Sequence, residues 1–330
     1  MAGESRDLNT VADIVKKGKS FFLGSHKDPD GDAIGSILAL GEALNLAGKN
    51  VVLFNQGPIT NALSWLPGVE KVVKTFNPGT RFDAVIILDC ATLERLGSKP
   101  PDSAGNGPLI NIDHHENNTY FGDLNIVEGA RSSTGELIYR LIQTADLPMS
   151  KKIAENIFVA IQTDTGSFKY DNATKEAFLI ASEMFDWGVD PWKISRRVMN
   201  GYTVGKLRLL ADALNTIEVH HGGKLGLLTV TRSMCSARGT DPTEVDRFVD
   251  FPRYINGVEM AALIRECENG SYHFSLRSND SVNVADLAAH FGGGGHRRAA
   301  AFTRQGCLDS LKHEFLSKAL VFLDNVANHT

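Results

Sequence analysis

The sequence predicts an α/β fold, in which an N-terminal domain with a mainly parallel sheet precedes a smaller C-terminal α/β domain. In the first half, short apolar runs alternate with segments whose apolar residues recur at helical spacing. These runs are continuous rather than alternating in polarity, which is typical of strands buried on both faces of a parallel sheet. The length of 330 residues exceeds what one hydrophobic core usually serves, so two domains are expected.

Four apolar runs predict the strands of the N-terminal sheet, and a helical pattern follows the first of them. The runs cover residues 21–23, 51–54, 84–88 and 109–112. The helix after the first strand extends to Gly48, a residue type suited to end it. From residue 132 to 187 the pattern is mainly helical, and Ser133 with Glu136 fits the S/T-x-x-E capping box that marks a helix start.

A charged and weakly patterned stretch at residues 187–202 separates this half from the rest of the chain. We place the N-terminal domain at residues 1–190, a linker at 191–215 and the C-terminal domain at 216–330. In the C-terminal domain, residues 224–231, 258–264 and 271–276 predict strands, and residues 284–290 and 310–326 predict helices. A run of four glycines, residues 292–295, lies between these two helices.

Composition and charge exclude several classes of protein. A hydrophobic fraction of 42% and a charged fraction of 22% are ordinary for a globular chain. The net charge of -5 argues against a protein that coats nucleic acid through bulk charge. No apolar run approaches the roughly 18 residues of a membrane span, and the polar N-terminus does not resemble a signal peptide. The four cysteines form no CxxC pair, so we expect a cytoplasmic protein with reduced thiols and no membrane contact.

Acidic and imidazole side chains directly follow three of the predicted strands. They are His26, Asp30 and Asp32 after the first strand, Asp89 after the third, and Asp113, His114 and His115 after the fourth. A further carboxylate, Asp164, ends a helical run. Because loops at the carboxyl ends of parallel strands converge on one crevice, these side chains can meet there. Oxygen ligands suit Mg²⁺ or Mn²⁺, and the imidazoles favour Mn²⁺.

Each of these residues also has a simpler explanation when it is taken alone. An Asp at a strand end is usually a helix cap or a turn former, and Asp32, directly before Ala33, fits that description. An isolated His is usually hydrogen-bonded or at the surface. Three strand ends that all carry acidic or imidazole groups favour a metal site. Arg131 is a candidate for contacting a phosphate at the helix start near Ser133, although the capping box explains the serines without a ligand.

These motifs resemble those of the DHH phosphoesterase superfamily. The segments that look like its four N-terminal motifs are His26-x-x-x-Asp30-x-Asp32, Asp89, Asp113-His114-His115 and Asp164. The glycine run followed by His296, Arg297 and Arg298 looks like the signature of the DHH-associated second domain. The resemblance extends from about residue 20 to 305, and the chain length is most similar to the bacterial nanoRNase and pAp phosphatase branch. It implies a catalytic N-terminal domain and a substrate-binding C-terminal domain.

The resemblance also implies roles for the acidic and imidazole residues. One metal ion would be held by His26, Asp30 and Asp89, and a second by Asp32, Asp89, His114 and Asp164, with Asp89 bridging the pair. The ions would be Mn²⁺, with Mg²⁺ or Co²⁺ as alternatives. His115 would contact the scissile phosphate and donate a proton to the leaving oxygen. Asp113 would orient the histidines.

In the C-terminal domain, the resemblance implies a phosphate-binding loop. Its residues would be Gly293, Gly294 and Gly295 with His296 and Arg297, and Arg277 and Ser278 would also contact the substrate. Glycines allow a close backbone approach, and successive N–H groups can cradle a phosphate. The arginine at position 277 suits bidentate phosphate binding. The alternative without a ligand is a flexible loop before a helix.

We therefore expect a Mn²⁺-dependent phosphohydrolase that degrades short oligoribonucleotides (nanoRNA) to mononucleotides and removes the 3′-phosphate of pAp. The alternative enzyme is a cyclic or linear dinucleotide phosphodiesterase, with c-di-AMP, pApA or pGpG as substrate. A catalytically dead nucleotide-binding regulator is the alternative from another class, but every motif position holds a residue fit for ligation. Pyrophosphatase and long-strand exonuclease activities are disfavoured by the glycine-rich signature and by the lack of a further domain. The family suggests a homodimer, and no other protein partner is implied.

Overall fold

The computed structural model describes residues 4–101, 105–199, 202–279 and 282–327. The chain divides into two units, Met1–Gly201 and Tyr202–Thr330. Among the described residues, no helix combines the length and the apolar character that crossing a membrane requires.

The first unit alternates strands and helices up to its middle and is helical after that. Its elements in chain order are α1 (Glu4–Lys17), β1 (Ser20–Ser25), α2 (Gly31–Leu46), β2 (Asn50–Phe54), β3 (Val72–Val73), β4 (Ala84–Leu88), β5 (Leu109–Asp113), β6 (Leu124–Val127), α3 (Thr134–Thr144), α4 (Lys151–Asp164), α5 (Lys175–Asp186) and α6 (Pro191–Met199). Short 3₁₀ helices cover Val69–Lys71 and Leu93–Leu96. The four predicted strands are confirmed, whereas α1, β3 and β6 were not predicted.

The six strands of the first unit form one parallel sheet in the order β3-β2-β1-β4-β5-β6. The chain moves outward in one direction from β1 to β3 and in the other from β4 to β6. In such a sheet the connections after the two central strands diverge, which opens a crevice at their carboxyl ends. The crevice of this unit therefore lies after β1 and β4.

Both faces of this sheet are buried, which explains the continuous apolar runs. Along β1, Phe21 and Leu23 face a large core that includes residues of α1 to α4. Phe22 faces the opposite side and packs on Phe54 with a ring separation of 5.5 Å. A strand covered on both faces has no position at which a polar side chain would be solvated, so no polar alternation develops.

The second unit is smaller and is built on a mixed sheet. Its elements are α7 (Val204–Leu214), β7 (Glu218–His220), β8 (Leu225–Val230), α8 (Arg232–Arg238), α9 (Asp250–Arg253), β9 (Met260–Glu266), β10 (Ser271–Ser278), α10 (Val284–Ala289), β11 (Gly294–His296), β12 (Ala299–Gln305) and α11 (Leu308–Ala327). Further 3₁₀ helices cover His221–Gly223, Pro242–Val249 and Glu268–Gly270. The strand order is β11-β12-β10-β9-β8-β7, with β8 and β9 parallel and the other pairs antiparallel. The predicted fold class is thus confirmed for both parts of the chain.

Two segments of the second half have regular secondary structure where a loop or a linker was considered. The glycine run does not form a featureless loop, because β11 includes Gly294 and Gly295 and pairs with β12. The predicted linker at 191–215 contains the whole of α6 and of α7. The domain bounds stay predictions.

Candidate metal centre

The carboxyl ends of β1, β4 and β5 bring the predicted acidic and imidazole residues together. His26 follows β1, Asp89 follows β4, and Asp113 ends β5. The fourth contribution comes from α4, whose last residue is Asp164. A Cβ atom at Gly31 would collide with the side chain of Thr163 on α4, so glycine at this position allows the start of α2 to approach the end of α4.

The first group of ligand atoms comprises His26, Asp30 and Asp89. The Nε2 atom of His26 lies 3.3 Å from Oδ2 of Asp89 and 4.0 Å from Oδ1 of Asp30. His26 and Asp89 are buried, whereas the side chain of Asp30 is 59% exposed. The group therefore opens to solvent on the side of Asp30.

The second group comprises Asp32, His114 and Asp164. The Nε2 atom of His114 lies 3.7 Å from Asp32, 3.3 Å from Asp164 and 3.8 Å from Oδ1 of Asp89. Asp89 thus turns one oxygen towards His26 and the other towards His114. Because its two oxygens face different groups of ligand atoms, Asp89 has the geometry that a bridging carboxylate requires.

The start of α2 separates the roles of Asp30 and Asp32. Asp30 is the helix cap, because its Oδ1 accepts hydrogen bonds from the amides of Asp32 and Ala33. The alternative explanation of Asp32 as a cap is therefore wrong. Its buried carboxylate instead accepts the amides of Thr134 at 2.7 Å and Gly135 at 2.8 Å, at the N-terminus of α3. Those amides carry partial positive charge, which stabilises a carboxylate in the interior.

Asp89 adopts an unusual backbone conformation. Its φ angle is +54°, in the left-handed region that few residues other than glycine occupy. Its amide donates to the carbonyl of Ile112 at 3.0 Å, and its Oδ1 accepts the hydroxyl of Thr134 at 3.2 Å. Conformations of this kind are held by the surrounding structure and occur frequently at functional sites.

Asp113 is hydrogen-bonded to His115. The Nδ1 atom of His115 lies 2.7 Å from Oδ1 of Asp113, which is fully buried. The other oxygen of Asp113 accepts Nδ2 of Asn118 at 2.5 Å. On the far edge of the ring, Nε2 of His115 lies 3.4 Å from Nη1 of Arg95. Sequence reasoning missed Arg95, because it belongs to no motif and its distance from His115 depends on the fold.

Burial and mutual repulsion shift the pKa values of the buried carboxylates and imidazoles. Burial and the charges of Asp30 and Asp89 raise the pKa of Asp164 to about 7, although His114 opposes the shift. Burial disfavours protonation of His114, but the charges of Asp164, Asp32 and Asp89 outweigh it and raise the pKa of His114 to about 10. Protons therefore balance part of the negative charge in this centre.

Arg131 belongs to a partly buried ion network. Its guanidinium contacts Glu128 at 2.5 Å and Glu136 at 3.0 Å. The carboxylate of Glu136 also accepts the amide and hydroxyl of Ser132, while Ser133 caps α3 through the amide of Glu136. The predicted capping box is thus only half formed, because the side chain of Glu136 returns to Ser132 rather than to Ser133.

The same loop orients a candidate metal ligand. The carbonyl of Arg131 accepts a hydrogen bond from Nδ1 of His114 at 3.2 Å, which leaves Nε2 to face the carboxylates. Contact between the side chain of Arg131 and a substrate stays a prediction.

In the second unit, the predicted substrate-binding residues lie near the ends of β10 to β12. Ser278 is buried, and its hydroxyl donates to the carbonyl of Val282 at 2.7 Å. Arg277 is half-buried, and its Nη1 donates to the carbonyl of Leu276 at 2.9 Å. Arg297 is exposed. The side chain of His296 lies outside the part of the chain that is described. Roles in substrate binding stay predictions for these residues.

The glycines of the run differ in what they contact. A Cβ atom at Gly293 or Gly295 would collide with backbone carbonyls of β12, so close strand pairing explains these two glycines without a ligand. At Gly294, no described atom lies within 4 Å of the position that a Cβ would occupy. The corresponding position at Gly292 is equally open among the described atoms, so Gly292 and Gly294 are the glycines at which a ligand has room to approach the backbone.

The donor set of the first unit fits divalent ions. Three groups of three side chains each bring ligand atoms within 4.8 Å of one another: Asp89 with His114 and His115, His26 with Asp30 and Asp89, and Asp32 with His114 and Asp164. Carboxylate oxygens with imidazole nitrogens suit Mn²⁺ and similar ions. The raised pKa values of Asp164 and His114 also reflect a surplus of negative charge that a cation would neutralise.

Comparison with protein families finds two matching models. The DHH family, N-terminal domain, matches residues 20–161, and the DHHA1 domain matches residues 228–325. All the candidate metal ligands except Asp164 fall within the first matched range.

Known proteins resemble this chain over most of its length. The bifunctional oligoribonuclease and PAP phosphatase NrnA of Thermus thermophilus is 32% identical over 303 residues, which is 91% of this chain and 89% of that protein. The protein of the same name from Bacillus subtilis is 27% identical over 286 residues, covering 85% of this chain and 88% of that protein. The crystal structure of an exopolyphosphatase-related protein from Bacteroides fragilis has a TM-score of 0.86, with 28% identity, and covers 97% of this chain and 96% of that chain.

Proposed function

Because the chain belongs to the DHH family of metal-dependent phosphoesterases, we propose that it degrades oligoribonucleotides of a few residues to mononucleotides and removes the 3′-phosphate of pAp. The relatives from Thermus thermophilus and Bacillus subtilis carry both activities in their names and match 91% and 85% of this chain. The similarity to these relatives therefore extends into the second unit, which would bind the rest of the substrate.

The observation that carries this proposal is the convergence of carboxylates and imidazoles in the crevice after β1 and β4. We assign His26, Asp30 and Asp89 to one Mn²⁺ ion and Asp32, Asp89, His114 and Asp164 to a second. Bound at these positions, the ions would neutralise phosphate charge and supply an acidified water. The burial of Asp32, Asp89 and His114 supports this assignment, since buried charged groups without a counter-ion are costly.

The side chains around this centre would orient the substrate and move a proton. The leaving group in both reactions is a ribose oxygen, which departs poorly unless it is protonated. We assign the proton donation to Nε2 of His115 in its imidazolium form, in which both ring nitrogens carry a proton. Asp113 fixes the ring by accepting from Nδ1, and Asn118 holds Asp113 in turn.

The second unit would bind the end of the substrate remote from the cleaved bond. Gly294 has room for a phosphate against its backbone, and Arg297 next to β11 adds an exposed positive charge. Arg277 is the further candidate, because a guanidinium can bind phosphate through two N–H groups. Location in the cytoplasm and assembly as a homodimer stay predictions.

A panel of substrates tests the proposal and separates it from its alternatives. The full chain with Mn²⁺ would be assayed at equal, subsaturating molar concentrations of pAp, RNA dimers to pentamers, a 24-nucleotide strand, c-di-AMP, pApA, pGpG and pyrophosphate. We expect pAp and the short RNAs to be hydrolysed faster than the long strand. Exclusive hydrolysis of cyclic or linear dinucleotides would favour the phosphodiesterase alternative. Binding of these nucleotides without hydrolysis of any would favour a regulator.

A further inference from the structure

Arg95 lies beside the candidate metal centre although no sequence motif singles it out. It belongs to the 3₁₀ helix Leu93–Leu96, which follows β4 and Asp89. Leu96 is fully buried and anchors this helix. The carbonyl of Arg95 accepts the amide of Lys27 at 2.8 Å, which joins the helix to the loop that carries His26. Backbone and packing contacts thus fix the position of Arg95 at the crevice, independently of the conformation of its side chain.

The guanidinium of Arg95 faces the reactive edge of His115. Its Nη1 atom lies 3.4 Å from Nε2 of His115. A guanidinium can only donate, so Nε2 accepts in this arrangement and Nδ1–H donates to Asp113. Arg95 therefore lies on the same side of the ring as the nitrogen to which we assign proton donation.

Within the described part of the chain, Arg95 has no carboxylate counter-ion, unlike two arginines of the first unit. Arg131 and Arg140 both contact the carboxylate of Glu128. Among the residues that the structure describes, none places a carboxylate oxygen within 4.0 Å of the guanidinium of Arg95. The side chain of Arg95 is exposed. Its charge is therefore available to an anion from solvent.

The surrounding charges indicate which anion would bind. The charge of Arg95 already opposes protonation of His26, so the guanidinium acts on the first group of metal ligands as well as on His115. Cations bound in the centre would repel it further. An anion between the metal ions and the guanidinium would attract both and offset their mutual repulsion. A phosphate suits this position because it can offer oxygens to both.

We propose that Arg95 binds a non-bridging oxygen of the substrate phosphate at the metal centre. The inference rests on the proposed function and deepens it, since it names the side chain that recognises the group common to both substrates. The phosphate takes the N–H donor that Arg95 otherwise directs at His115. Recognition of this kind is independent of the base and of the number of nucleotides.

The substitution Arg95→Met tests this inference, with Arg196→Met, an exposed arginine of α6, as the matched control. Calorimetry on the Mn²⁺-loaded full chain would measure the affinity for inorganic phosphate and the number of bound Mn²⁺ ions. We expect Arg95→Met to weaken phosphate binding by about tenfold to a hundredfold, as for loss of a charge-assisted hydrogen bond. The loss in kcat/KM should be similar for pAp and for an RNA dimer. The Mn²⁺ stoichiometry should not change.

The inference is overturned if Arg95→Met binds phosphate as tightly as the parent chain and the control. It is equally overturned if the variant loses Mn²⁺, because Arg95 would then support the metal ligands instead of the substrate. The proposed function can fail separately. If the parent chain hydrolyses neither pAp nor RNA while phosphate binding still depends on Arg95, the binding role stands and the choice of substrates is wrong.

Discussion

Asp89 combines a bridging position between the two groups of metal ligands with a strained backbone conformation. Its two oxygens face different groups of ligand atoms, and its φ of +54° turns the chain sharply after β4. An extended residue at this point would continue the strand instead. The conformation is costly for most residues, but Asp and Asn tolerate it better than others. The residue type is thus fitted to the backbone as well as to the metal.

Metal binding should release protons. At pH 7 His114, with a pKa of about 10, is charged, and Asp164, with a pKa of about 7, is half protonated. Both must lose protons to ligate, so Mn²⁺ affinity should rise as the pH increases from 6 to 9, and binding at pH 7 should release at least about one proton per chain. Calorimetry in two buffers of different ionisation enthalpy measures this number. Proton uptake, or no release, would contradict the assignment, and His114→Gln should release fewer protons than the parent.

All the acidic and imidazole residues of the centre except Asp164, which ends a helix, could be predicted to meet because they follow strands, and parallel strands place their carboxyl ends together. The roles of Asp30 and Asp32 could not be separated in the same way. Both precede a helix, and only the contact of Asp32 with the amides of Thr134 and Gly135, more than a hundred positions away, distinguishes the ligand from the cap. Arg95 was missed for a similar reason, since nothing local relates it to His115.

At the level of elements, the N-terminus of α3 stabilises one side of the centre. Its first amides bind Asp32, and the hydroxyl of Thr134 contacts Asp89. The preceding loop is fixed by the fully buried carboxylate of Glu136, which binds Arg131 and Ser132. The position of α3 is therefore coupled to the orientation of His114 through the carbonyl of Arg131.

The substitution Glu136→Gln should disturb this loop. It removes a charge that Arg131 and two groups of Ser132 share, so the metal-free chain should lose about 1–3 kcal/mol of unfolding free energy. Mn²⁺ affinity should fall as well. Glu70→Gln, on the exposed side of the 3₁₀ helix Val69–Lys71, is the control. Urea unfolding and Mn²⁺ titration check both effects. If neither quantity differs from that of the control, the loop does not support the centre.

Elements with a strong apolar pattern were predicted, and those with a weak one were not. The strands β1, β2, β4 and β5 carry continuous apolar runs because both faces of the sheet are covered. By contrast, β12 begins with three alanines, which favour helix when considered alone, and its strand conformation depends on pairing with β10 and β11. The strand β11 could not be predicted either, because glycine has low strand propensity. Its glycines are explained by the close pairing with β12.

At the scale of the whole molecule, the two units divide the proposed task. All candidate metal ligands lie in the first unit, in the crevice that the strand order creates after β1 and β4. The glycine run and the arginines near it lie in the second unit. This division agrees with the order of the matched families, in which the DHH model precedes the DHHA1 model. The central claim concerns the first unit, where the hydrolytic centre would be complete in itself.

The number of Mn²⁺ ions bound by the parent chain and by Asp89→Asn, measured together with pAp hydrolysis, tests this claim most directly. Asparagine tolerates the left-handed backbone at this position, so the fold should persist, which circular dichroism can verify. We expect about two ions on the parent, at least one fewer on the variant, and hydrolysis reduced by more than about a hundredfold. Hydrolysis within about tenfold of the parent at saturating Mn²⁺ would be too small a loss for a ligand that joins two ions, and would contradict the account.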